Sequence, residues 1–428
     1  MKAESDSFWF PAIHGMMPEE FIIPFDCMKI LMNNQNYLVW GIPRVVKSMI
    51  WEKKAIFWKT EFVTVNLENN DRKFLWMKTT TYPGHTNIEW YYDKEKFVNN
   101  LASYISLTEI ESDFSELIST LKNIITSEKP DLIILNGTWL MPWSLMKAAQ
   151  WMNIPMVVYY HWSITAEEKQ SILKGKANIL NAFEESFLRE DSGFVFPSEL
   201  LRGMVSKKFW AYVESLHYKI IPNSIPLYFF DSQKPSITDS RSKKIRVGFV
   251  MRWCNVKNKD FVIQFIEYIR SHDLNYTVYL ITDKEEIAMK DIGWISENII
   301  IHTQLEYKEL AIFLHECVDI VICPSKFETY GNIAQEAIAL GTPVILSKNM
   351  WICETFETIW MHNSVVDFEN TTIPRMMDLI HTTITFGVPK SALKILKENF
   401  QSRSVNQKRR YFFDNYVAWY HARGKVKK

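Results

Sequence analysis

Short apolar runs that alternate with helix-period segments constrain this chain more than any other feature. Pro130-Asp-Leu-Ile-Ile-Leu135 reads as a buried strand, MPWSLMKAAQWMN as a helix and Ile154-Pro-Met-Val-Val-Tyr-Tyr160 as the next strand. The pattern returns in Ile245-Arg-Val-Gly-Phe-Val250, FVIQFIEYIR and Tyr276-Thr-Val-Tyr-Leu-Ile281, after which Asp283 and Glu286 are spaced as a capping box. Strand, helix, strand in this rhythm is the signature of parallel α/β units. Between the two units, residues 231–244 lose their large apolar side chains and gain Ser, Pro and charge, as an interdomain linker does.

Composition limits what such units can do. A chain of 428 residues, 47% hydrophobic and 14% aromatic, buries a large core and is long enough for roughly two or three domains. Lys plus Arg and Asp plus Glu number 49 each, so no global field draws the chain to nucleic acid or to an acidic surface. Five cysteines, Cys27, Cys254, Cys317, Cys323 and Cys353, include no C-x-x-C pair, which argues against a disulfide framework and against structural zinc. No apolar run reaches 18 residues and the first twenty residues lack a basic-then-apolar segment. The expectation is a cytoplasmic protein able to rest peripherally on a membrane.

The stretch PSKFETYGNIAQEAIALGTPVILS places Glu328 and Glu336 eight positions apart, on either side of Gly331. Asp319-Ile-Val-Ile-Cys323 reads as a strand, the residues to Tyr330 as a loop and NIAQEAIAL as a helix with Ile333, Ala337 and Leu340 on its buried stripe. Gly341 stops that helix and Pro343 opens the strand Val344-Ile-Leu-Ser347. Glycine at 331 lets a ligand approach the backbone, and the free N–H groups of the helix start suit a diphosphate. Phosphate repels a carboxylate at 328, whereas sugar hydroxyls carried beyond the phosphate suit it; Glu336 suits a ribose diol. The competing reading makes Glu328 a helix cap and Glu336 a solvated residue. Arg252 and Lys257, in Arg252-Trp-Cys-Asn-Val-Lys257-Asn-Lys-Asp260, follow the strand Ile245–Val250 and sit where open α/β sheets bind ligands.

These residues resemble the family 4 glycosyltransferases of the GT-B fold. Gly248, Arg252 and Lys257 match the family's Gly, Arg and Lys-Gly pattern, with Asn258 in the place of the usual glycine. Glu328, Gly331, Glu336, Ala337, Gly341, Pro343 and Val344 match its Glu-x7-Glu run. Phe194-Val-Phe-Pro-Ser198 is similar to its strand-and-serine segment, and Ile220-Ile-Pro-Asn-Ser-Ile225 to its Pro-Asn-Gly segment, with Ser224 replacing glycine. The first ~110 residues match poorly, and the nearest counterpart of the family's glycine-rich amino-terminal loop is Ala12-Ile-His-Gly-Met-Met17, which makes His14 and Gly15 acceptor-side candidates.

The resemblance implies two Rossmann-like domains whose parallel sheets face a central cleft. It implies an acceptor-side domain over 1–230, a linker over 231–244, a nucleotide-sugar domain over 245–402, and a carboxyl-terminal helix and basic tail over 403–428 that return to the first domain. It also implies a retaining hexosyltransferase using a nucleoside-diphosphate sugar, UDP among the candidate nucleotides. Arg252, Lys257, Glu328, Thr329, Tyr330, Gly331, Asn332 and Glu336 then form the donor site, with His161, at the carboxyl end of a first-domain strand, near the reacting carbon. The acceptor is a glycan, a lipid-linked glycan or another hydroxyl, a modified nucleic acid being the alternative.

Negative charge that develops on the leaving phosphate would be met by Arg252, Lys257 and the helix start. No Asp-x-Asp motif is present; Asp283-Lys-Glu285 comes closest and fits a helix start better, so no metal and no other cofactor is expected. A same-fold nucleotide-sugar epimerase and a catalytically silent binding protein are the alternatives. Aromatics and cations interleave in Trp51–Lys59 and Lys207–Tyr212, and the tail from Arg403 is basic, features that suit an anionic membrane or a nucleic-acid backbone but fit a solvated helix face better.

Overall fold

The structure is a computed structural model describing residues 27–34, 41–68, 77–91, 95–101, 103–161, 177–189, 191–209, 216–231, 244–292, 298–303 and 305–426. His14, Gly15 and most of the expected linker lie outside these residues.

Two sheets organise the chain. The first contains β1 (Met28–Asn34), β2 (Thr60–Glu68), β3 (Met77–Tyr82), β4 (His85–Tyr91), β5 (Leu132–Asn136), β6 (Met156–Tyr159), β7 (Ser192–Phe196) and β8 (His217–Ile220), in the spatial order β3-β4-β2-β1-β5-β6-β7-β8. Its pairings are parallel except for the β3–β4 hairpin at the edge. That hairpin is an antiparallel addition the sequence reading did not foresee. His85 opens β4, and the turn before it contains Gly84 at φ +68°.

The second sheet contains β9 (Ile245–Val250), β10 (Tyr276–Ile281), β11 (Ile299–His302), β12 (Ile320–Cys323), β13 (Val344–Ser347) and β14 (Val365–Val366), in the order β11-β10-β9-β12-β13-β14, all parallel. The central strands are buried along their whole length because helices cover both faces: every residue of β5, β7 and β12 is buried, and nearly all of them are apolar. Each sheet reverses its strand order once, between β1 and β5 in the first and between β9 and β12 in the second. Such reversals open a crevice at the carboxyl ends of the strands.

The helix Ser402–Val426 leaves the second domain and packs on the first. Val405, Phe412, Phe413, Tyr416 and Val417 join Ile30, Met32, Ile134 and Val157 in one buried cluster. The crossing is tied by polar contacts. Ile225 N–H donates to the Phe400 carbonyl at 2.7 Å and Ser402 N–H to the Ile225 carbonyl at 2.9 Å. Ser224, in the place of the family's glycine, has its hydroxyl 2.8 Å from that of Ser48, which also receives Asn406 Nδ2 at 3.0 Å.

Candidate active site

The crevice between β9 and β12 carries most of the residues singled out from the sequence. Arg252 stands two residues beyond β9, partly buried. The chain then makes a short 3-10 turn, Asn255–Lys257, and passes through Asn258 at φ 62° and ψ 49° into the helix Lys259–Ser271. This left-handed geometry explains the glycine usual at 258; asparagine tolerates it better than other side chains do. Asn258 Nδ2 donates to the Pro324 carbonyl at 3.2 Å, and Lys326 N–H to the Val256 carbonyl at 2.9 Å, so the loops after β9 and β12 are tied together.

Lys257 is buried and its ammonium pairs with the Glu328 carboxylate. Sequence reasoning gave Lys257 to the diphosphate and Glu328 to the sugar, without seeing that they meet. The contact neutralises the carboxylate on the loop before the helix start. The two alternatives for the carboxylates fail. The helix Asn332–Ala339 has Gly331 as its N-cap with no side-chain cap bond, so Glu328 caps nothing there, and Glu336 is 1% exposed rather than solvated.

Gly331 adopts φ +104°, and a Cβ there would lie 2.5 Å from Met350 Cε and 3.1 Å from Ile352 Cγ2. The positive φ calls for glycine by itself, apart from the ligand approach that the sequence reading assigned to it. Asn332 Oδ1 accepts from Asn223 Nδ2 at 3.0 Å, joining the helix start to the Pro-Asn-Ser segment that ends the first domain. Thr329 is partly exposed on the loop. Tyr330 departs from expectation: its ring is buried in the second domain's core and its hydroxyl donates to Gln335 Oε1 at 3.3 Å, leaving its main chain alone on the loop. The helix is buried nearly all round, Ala334 to Ala339 included, whereas Ile333 is only partly buried.

Two supporting side chains escaped the sequence reading. Asp283, taken there as a helix cap, accepts the Trp253 N–H at 3.1 Å and so holds the residue next to Arg252, while Trp253 Nε1 donates to Asp291 Oδ2 at 2.8 Å. Lys259 also pairs with Asp291, at 2.7 Å.

Across the cleft, His161 follows β6 at the carboxyl edge of the first sheet. It is 8% exposed, its Nε2 lies 2.5 Å from Asn136 Oδ1, and its ring stacks on Tyr159. Burial, with the charge of Arg409 adding to it, pushes its pKa down to about 3, so the ring is neutral at ordinary pH. Asn136 is in turn bound to Asn33, its N–H donating to Asn33 Oδ1 at 2.7 Å and its carbonyl accepting from Asn33 Nδ2 at 2.9 Å. Asn136 ends β5 and Asn33 is the last residue but one of β1, the two strands at the first sheet's reversal, and the sequence signal for them is a polar residue near the close of an apolar strand. The Trp51–Lys59 stretch precedes β2 and lies at the amino ends of the strands, on the opposite edge from the crevice, with Trp51 and Trp58 exposed.

Residues 231–358 match the family described as "Glycosyl transferases group 1", and residues 102–228 match "Glycosyltransferase Family 4". The "Alpha-monoglucosyldiacylglycerol synthase" of Streptococcus pneumoniae (strain ATCC BAA-255 / R6) is 24% identical over 251 residues, 54% of this chain and 53% of that one. The chain spans about half the length of the curated relatives it matches. Among solved structures, a sucrose-phosphate synthase from Thermosynechococcus elongatus superposes with a TM-score of 0.67 at 13% identity, covering 91% of this chain and 99% of that one. "Trehalose-6-phosphate from E. coli bound with UDP-2-fluoro glucose" superposes with a TM-score of 0.61 at 9% identity, covering 93% and 98%.

Proposed function

The chain belongs to the family 4-type glycosyltransferases of the GT-B fold, and from that premise we propose that it is a retaining hexosyltransferase using a nucleoside-diphosphate sugar without a metal ion. One observation carries the reading: Arg252 and Lys257, which follow β9, and Glu328 and the start of the helix Asn332–Ala339, which follow β12, converge at the second sheet's reversal. The diphosphate lies against Arg252 and the free N–H groups of the helix start, with Lys257 shared between phosphate and Glu328. As the bond from sugar to phosphate breaks, charge grows on the leaving oxygen, and these fixed positive groups stabilise it more than they stabilise the ground state. They supply the positive charge a metal would otherwise bring. The leaving phosphate takes the acceptor's proton, and Glu328 holds hydroxyls of the transferred sugar.

UDP is the favoured nucleotide, supported by the UDP sugar named with the E. coli structure. A lipid-borne hydroxyl is the favoured acceptor, supported by the glucosyldiacylglycerol synthase relative. The test is incubation with a panel of UDP and GDP sugars, with diacylglycerol, glycolipid and oligosaccharide acceptors, in EDTA. Release of nucleoside diphosphate with an α-configured product from an α-configured donor is expected. A released free sugar nucleotide epimer, an inverted product, or turnover that EDTA abolishes would each overturn the corresponding part.

A further inference from the structure

Two aromatic side chains of the second domain sit in the hydrophobic core of the first. Trp351, in the turn after β13, is 5% exposed and belongs to the cluster that contains Leu140, Trp143, Phe196 and Leu201; Phe327 packs against the same cluster. Among the described residues, every other buried member of it lies between residues 31 and 216. The two rings meet edge to face, 5.4 Å between centroids.

These rings bracket Glu328. Phe327 precedes it in the chain, Trp351 N–H donates to the Glu328 carbonyl at 3.1 Å, and Glu328 N–H donates to the Asn349 carbonyl at 3.3 Å. Glu328 is thus one rung of a short parallel bridge with Met350, and both sides of that bridge are anchored in the opposite domain. Three residues past Trp351, the Glu354 carboxylate adds a second tie. It accepts Glu199 N–H at 2.9 Å and Leu200 N–H at 2.5 Å, in the first turn of the first-domain helix Glu199–Lys208, where unsatisfied N–H groups and the helix dipole favour an anion.

We propose that Trp351, with Phe327 and Glu354, forms an interdomain clasp that holds Glu328 in place, so that Glu328 reaches the donor sugar only when the two domains are closed on one another. This rests on the reading of Glu328 as the residue that holds the sugar. Trp351 is a positioning residue: it acts through the main chain of Glu328 and touches no reacting atom. Arg252, Lys257 and the helix start all belong to the second domain, so the nucleotide binds whether or not the clasp is engaged.

The test uses Trp351→Ala, Trp351→Phe and Glu354→Ala in the full chain. UDP affinity is read by calorimetry, kcat and KM with the donor, and amide hydrogen exchange at Leu200. Trp351→Ala is expected to lower kcat by roughly one to two powers of ten, the cost of slight misplacement of a catalytic group, while UDP affinity changes less than about threefold. Trp351→Phe restores most of kcat, and Leu200 exchanges faster in both alanine variants. Equal loss of affinity and kcat in a folded Trp351→Ala, or no recovery with Phe, overturns the clasp. If Trp351→Ala does not fold, Glu354→Ala carries the same comparison, and an unchanged kcat with unchanged Leu200 exchange overturns it. The exchange measurement needs no turnover. If the wild-type chain transfers no sugar, the glycosyl-transfer reading falls, and unprotected Leu200 in the wild type separately removes the clasp.

Discussion

Glu328 and Lys257 are the pair on which the proposed donor site turns. Because Lys257 pairs with Glu328, the change Glu328→Gln would, on the proposed reading, release a cation for the diphosphate while removing the carboxylate from the sugar. UDP affinity is expected to stay the same or tighten, and turnover to fall by roughly one to two powers of ten, the worth of one lost charged contact; calorimetry and steady-state rates on the same preparation check both. His161 makes a different prediction. Its folded pKa is depressed from 6.5 to about 3, so the unfolded chain binds a proton that the folded chain refuses between those values. Stability from this group is fully present above about 6.5 and is lost as pH falls toward 3, with a slope that approaches 1.4 kcal/mol per pH unit. Urea midpoints from pH 7 to pH 4.5 should fall more steeply in the wild type than in His161→Gln. Equal slopes would show that the ring titrates as an exposed one. The types of these residues were readable in the sequence, but their pairings were not: nothing in the spacing of Lys257 and Glu328, 71 positions apart, says that they touch.

At the scale of the element, the helix Asn332–Ala339 depends on the turn that starts it. Gly331→Ala forces a side chain into φ +104° and against Met350. The strain is expected to cost about 1–3 kcal/mol by urea denaturation, and turnover should drop further than folding, because Met350 shares the bridge with Glu328. Met350→Ala in the same chain relieves the contact with Met350 but not the backbone conformation, so it should return only part of the loss. The position of this helix was legible from Gly331, Gly341 and Pro343, since glycine and proline punctuate the chain by backbone sterics. Its surroundings were not legible. A stripe of Ile333, Ala337 and Leu340 was expected, whereas the helix is enclosed by the sheet and by Ala392, Leu396 and Phe400, so that Gln335 and Glu336 are buried as well. Asp283 shows the same limit, because a carboxylate at a cap spacing bonds whichever N–H the tertiary fold brings nearest, here that of Trp253.

For the whole molecule, the helix Ser402–Val426 is a structural member of the first domain despite following the second. Phe412, Phe413, Tyr416 and Val417 are buried on the first sheet, and at about 1.5–3 kcal/mol for each buried large apolar side chain their loss rivals the net stability of a whole domain, about 5–15 kcal/mol. A chain ending at residue 401 should therefore lose its cooperative unfolding transition or aggregate, while in the full chain Tyr416→Phe, which gives up the 2.6 Å bond to the Asp191 carbonyl but keeps the ring, should fold with a modest drop in melting temperature. A truncated chain that melts as sharply as the wild type would show that the first domain closes its core without this helix.

Local patterns in the sequence specify the parallel α/β units, the start and stop of the helix Asn332–Ala339, and the residue types at the second sheet's crevice. Those follow from local chemistry: apolar runs, caps, glycine and proline act within a few positions of where they stand. The tertiary structure alone decided which of those residues meet. The antiparallel β3–β4 edge, the Asn33–Asn136–His161 chain and the burial of Trp351 in the first domain all join segments far apart in the chain. Such contacts are fixed by strand order and domain packing, because a buried polar or aromatic group takes whichever partner the fold places within reach, and periodicity carries no record of that partner.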